Sequence, residues 1–189
     1  MQGEDKAIAA EVARLHHLVQ FSAPPLDLAR IFELRPDLQV RIGDEETPLE
    51  LQREGDHLVI IMPPGGDPSA ERMLLAHALG HAVLHPVPVL CEGEWPEEEI
   101  PLDEPGAAAD VFRESQAHSF ALALLMPMEM FEEHNALRVT LFMKGEEVDA
   151  EVERLSEIFG VPAEAVRARL HRLMERNFRL QAGHPGRKP

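Results

Sequence analysis

The chain has 189 residues and a mass of 21.1 kDa, with 44% apolar and 28% charged residues, proportions that fit one globular core and exclude a disordered chain. Its longest unbroken apolar run, Phe120 to Met126, falls far short of the roughly 20 residues that cross a bilayer. Eighteen Lys and Arg against 34 Asp and Glu give a net charge of −16, which argues against a surface that binds nucleic acid throughout.

In chain order, Ile8, Val12, Leu15, Leu18 and Val19 recur at helical spacing and predict an amphipathic helix over 4–21, closed by Pro24-Pro25. The acidic opening Glu4-Asp5 does not resemble a secretory signal. Leu28, Ile31 and Phe32 predict a short helix before Pro36. Leu38 to Ile42 alternates like a strand. Leu49-Glu50-Leu51 and Leu58 to Met62 flank Glu54-Gly55-Asp56 as a hairpin, so a small antiparallel sheet is expected. Asp67-Pro68 has the form of an N-cap followed by proline at the first helical position, and the helix it opens runs to about His85.

A loop rich in Pro and Glu follows, with an acid run from Glu92 to Glu104 that reads as solvated surface or as a face for a basic partner. It also holds Cys91, the single cysteine, which cannot form an internal disulfide; a reducing, cytoplasmic location is expected. Pro105 and Ala107-Ala108-Ala109 begin a second long helix that ends at Met126-Pro127, with a short one from Met128 to Asn135. The last two helices are expected at about 147–158 and 163–177, around Gly160-Val161-Pro162. Residues 1–145 hold ten Lys/Arg and 26 Asp/Glu and carry the whole negative charge, whereas 146–189 hold eight of each. That shift divides the chain into a main domain, 1–145, and a closing helical pair with a basic tail, 146–189.

The segment Ala76-His77-Ala78-Leu79-Gly80-His81 carries the chemistry. Two histidines four apart on a helix are separated by a turn of about 400° and a rise of about 6 Å, so both project from one face. Such a pair can hold one divalent metal, and it is also common as ordinary structure. Two features favour the metal. The helix follows a hairpin and so can lie against a sheet that rims a cleft. The second long helix brings Glu114 within an apolar face, where an unpartnered charge is costly.

Arg72 to His85, with its leucine-rich lead into His77-Ala78-Leu79-Gly80-His81, resembles the active helix of the ImmA/IrrE family of metallopeptidases, written there His-Glu-x-Gly-His. Glu114 to Pro127 resembles that family's Glu-x-x-Ala-Asn-x-Phe-Ala-x-x-Leu-Leu-Met-Pro, and Leu155 to Leu170 its closing helical pair. The blocks stand in family order and reach from about 38 to 176. The resemblance implies an α+β, mostly helical zincin-like domain with a small antiparallel sheet and a C-terminal helix-turn-helix-like pair. It implies a gluzincin-like site with His77, His81 and Glu114 as ligands of zinc, or of manganese, and a water in the open position. It also implies a substrate: a helix-turn-helix repressor of the XRE type, cut to release stress or mobile-element genes.

The departure from the family is Ala78, which stands where the family has the glutamate that moves the proton of the attacking water. A methyl group cannot do this, and the loss is expected to cost on the order of 10²–10⁴ in rate while sparing the metal. A substitution made to silence the enzyme and a natural pseudopeptidase that binds a partner both fit. His118, where the family commonly has Asn, is read as steadying His77 or His81 through a second ring nitrogen, as packing, or as a ligand. His85 continues the series, but it drifts about 80° around the helix from His77 and is read as support. The chain has no tyrosine, so no phenol can stabilise an oxyanion. Arg167, Arg169, Arg172 and Arg176 decorate the last helix. A DNA-binding regulator is thus a rival reading, less favoured than a packed closing pair.

Overall fold

The computed structural model describes residues 4–44, 47–85, 89–90, 107–134 and 145–182; Cys91, the acid run from Glu92 to Glu104, Asn135 and the tail after 182 lie outside them. Helix α1 (Glu4–Val19) buries Ile8, Val12 and Leu15 and ends where Gln20 takes a left-handed backbone, φ 54°. Helix α2 (Leu28–Leu34) is capped by Asp27, whose carboxylate accepts from the Arg30 N–H. Strands β1 (Leu38–Ile42), β2 (Glu50–Glu54) and β3 (His57–Met62) follow, then helix α3 (Pro68–Leu84). Asp67 caps α3 by accepting from the N–H groups of Ser69 and Ala70, both at 3.1 Å, with Pro68 in the first turn. After β4 (Val89–Leu90) come α4 (Ala107–Leu125), α5 (Met128–Glu133), α6 (Glu146–Phe159) and α7 (Ala163–Ala182).

The sheet differs from the expected antiparallel one. Its order is β1-β3-β2-β4, and β1 runs parallel to β3, Leu38 opposite Leu58 and Ile42 opposite Met62. The hairpin β2–β3 is antiparallel, as its turn implied, and β4 adds antiparallel to β2. The reason lies in β3. Leu58-Val59-Ile60-Ile61-Met62 is apolar at every position, so it suits a strand flanked on both sides and covered on both faces. Val59 and Ile60 are completely buried. With β2 on one side of β3, β1 takes the other, and the return through β2 sets β1 and β3 in the same direction.

Helix α3 is apolar around most of its circumference because it lies between two layers. Met73, Ala76 and Leu79 join the main core, with Leu15 of α1, Phe120 and Leu124 of α4, and Phe159 and Val166 of the closing pair. Ala78 faces the other way, into a second cluster with Leu49, Leu51, Ile60 and Met62. Helices α3 and α4 come close at Gly80, where a Cβ would meet the Ala117 Cα and carbonyl oxygen, each at 3.0 Å. Backbone atoms cannot yield as a flexible side chain can. Gly80→Leu is therefore expected to lower unfolding free energy by about 3 kcal/mol, the upper part of the usual overpacking range. Urea denaturation checks this; an unchanged midpoint would mean that the helices separate at no cost.

The closing pair shares the main core. Val152, Leu155, Phe159, Val166 and Leu170 are buried in it, and the Phe131 and Phe159 rings lie 5.7 Å apart. Gly160, at φ 62°, ends α6 in the left-handed region, and its N–H donates to the Ser156 carbonyl. No helix among the described residues is long and apolar enough to cross a membrane.

Candidate metal centre

Helix α3 presents His77 and His81, one turn apart, toward Glu114 of α4. Helix α4, pressed against it at Gly80, brings Glu114 to them. His77 Nε2 lies 2.9 Å from Glu114 Oε2, His81 Nε2 lies 3.1 Å from Glu114 Oε1, and the two Nε2 atoms are 3.1 Å apart. His81 is completely buried, and the other two are largely so. Burial pushes the Glu114 carboxyl up, but hydrogen bonds from His77 and His81, and their charge, outweigh it and hold it down at about 2. The residue therefore stays a carboxylate at any physiological pH.

The donor set fits a divalent metal. Two imidazole nitrogens and one carboxylate oxygen, one from each residue, lie within 4.8 Å of one another. Among the described residues, this is the group of three His, Cys, Asp or Glu side chains that can converge on an ion. Two imidazoles and a carboxylate suit zinc and leave a coordination position open.

Sequence reasoning singled out two further histidines, and the structure gives them different surroundings. At His85 the backbone leaves the helix, φ −124° and ψ 148°, while its N–H still donates to the His81 carbonyl at 3.0 Å. Its ring folds back, with Nδ1 3.0 Å from His81 Nδ1 and Nε2 3.0 Å from Gln116 Oε1 of α4. His118 sits one turn beyond Glu114 and is largely buried. Burial first, then the charges of Arg172 and His77, push its pKa down to about 3, so it is a neutral imidazole in the working range.

Gln116 was not singled out. A glutamine two residues from Glu114 carries no spacing signal that separates it from a solvated helix position.

Ala78 is completely buried, with Leu49, Leu51, Ile60 and Met62 around it. Both ring nitrogens of His85 are engaged, so that side chain does not offer a free base in its place.

The arginines of α7 are held in part by the protein itself. Arg169 is buried, its Nε donating to the Met126 carbonyl at 2.9 Å just past the end of α4. Arg167 pairs with Asp149 of α6 at 2.7 Å. Arg172 is half-buried near His118. The Arg176 side chain lies outside the described residues.

No curated protein matches the sequence. The model of a peptidase family, M78, described as the IrrE N-terminal-like domain, matches residues 37–171, a span from just before β1 into α7.

Proposed function

The chain belongs to the M78 peptidase (ImmA/IrrE) family, and we propose on that premise that it is a metal-holding member silenced at position 78, which grips a helix-turn-helix repressor of the XRE type and cuts it slowly or not at all. His77, His81 and Glu114 hold zinc, with manganese as the second choice. When bound, such an ion supplies an electrophile for a peptide carbonyl and acidifies water. Glu114 supplies the negative charge that retains the cation. Ala78 supplies nothing that can move a proton.

One observation carries this reading: three side-chain atoms that could ligate a metal converge on α3 and α4, and the methyl group of Ala78, next in sequence to His77, is enclosed by apolar side chains. The acidic segment 1–145 suits a basic DNA-binding partner. A pure binding module, which never cleaves, rests on the same alanine and differs only in the measured rate.

The test mixes the zinc-loaded chain with a repressor encoded beside it. The expected result is a complex, seen by size exclusion, in which the repressor stays intact for hours. It should weaken as salt rises, because opposite charges draw the partners together. No complex at low salt would remove the repressor from the reading.

A further inference from the structure

We propose that Gln116 and His85 form a relay that sets the tautomer of His81 and holds its Nε2 lone pair toward the metal. The inference rests on the metal-holding reading above and adds to it two positioning residues.

The argument is a count of protons. An amide oxygen accepts and cannot donate, so the contact at 3.0 Å between Gln116 Oε1 and His85 Nε2 requires a proton on that nitrogen. In a neutral His85 the other nitrogen, Nδ1, is then bare. His85 Nδ1 lies 3.0 Å from His81 Nδ1, and a hydrogen bond between two ring nitrogens needs one proton. That proton therefore belongs to His81 Nδ1. The nitrogen of His81 left to face a cation is then Nε2, whose contacts at 3.1 Å with Glu114 Oε1 and His77 Nε2 are the ones a cation would replace. A glutamine oxygen at the far end thus determines, through two rings, which nitrogen of a buried histidine binds.

The relay also ties the two ligand-bearing helices together a second time. Helix α4 supplies Glu114 to the metal and Gln116 to the support. Because His81 is completely buried, water cannot replace a missing partner at its Nδ1 without entering the packed α3–α4 contact. Loss of either relay member therefore leaves the ring free to rotate or to adopt the other tautomer. Partners of this kind usually change metal affinity by about 10–100-fold.

Two measurements test this. In the unsubstituted, zinc-loaded protein, long-range nitrogen–proton NMR should find the His85 proton on Nε2 and the His81 proton on Nδ1. A His85 proton on Nδ1 instead would overturn the relay with no mutation involved. Zinc affinity by chelator competition is the second. His85→Phe and Gln116→Leu should each weaken zinc binding about 10–100-fold, and Gln116→Glu, which still accepts from His85 Nε2, should stay within a few fold of the parent. Gln116→Leu at parental affinity would overturn the relay and leave the metal reading intact. A parent that binds no zinc would overturn both.

Discussion

Ala78→Glu is expected to raise peptide hydrolysis by this chain on the order of 10²–10⁴-fold, the usual contribution of a positioned acid–base group. Around the axis of α3, position 78 lies about 60° from His81 and about 100° from His77. A glutamate there reaches along the flank of the metal site from the side of the sheet. Its surroundings, Leu49, Leu51, Ile60 and Met62, are apolar, and such burial raises a carboxyl toward neutrality, where a base works best. The carboxylate can then accept the proton of the attacking water and return it to the leaving amine. The same burial has a cost, and the variant should be about 1–3 kcal/mol less stable than the parent.

The experiment is a time course on gels, with a co-encoded repressor incubated with each form. Metal content should be unchanged, because the substitution adds a base and no ligand. Cleavage should stop with a chelator and return with zinc or manganese. Equal cleavage by parent and variant would assign proton transfer to another residue. A folded, metal-loaded variant that cuts nothing would favour the binding module.

His81→Ala is expected to reduce zinc from about one ion per chain to nearly none. It would remove one of the three proposed protein ligands, a larger loss than the roughly 10–100-fold expected for a supporting group. The effect also appears in stability. A ligand at 100 times its dissociation constant stabilises the fold it binds by about 2.7 kcal/mol, so zinc should raise the unfolding temperature of the parent and leave that of the variant unmoved. Since His81 is completely buried, its truncation also leaves a cavity. Glu114→Gln, nearly identical in shape, separates the two causes. It should fold normally in the absence of metal and bind zinc much more weakly. Full zinc occupancy in His81→Ala would withdraw the ligand assignment.

The features legible in the sequence are those whose cause is local. Asp67-Pro68 announced the start of α3 because a cap bonds within its own first turn. Histidines four apart shared a face because the helical repeat is fixed, and Gly160 ended α6 because few other residues accept its backbone angles. The family's motif, read around these positions, added Glu114 as the partner of His77 and His81. Bounds drifted where local signals were weak: α1 ended at Val19 instead of 21, and α7 ran to Ala182 instead of 177.

Tertiary structure decided whatever depends on two distant segments meeting. The parallel pairing of β1 with β3 depended on which flank β2 left open. The strand pattern alone does not record that. Arg169 looked like surface charge until α7 packed its guanidinium against the end of α4. Ala78 could be read as a missing base from sequence, but its apolar enclosure comes from the sheet beneath it. The contact of His85 with Gln116 joins positions 31 residues apart. Helical periodicity orders side chains along one element and is silent about the neighbour across the gap; packing of α3 against α4, as close as a glycine permits, selected that neighbour.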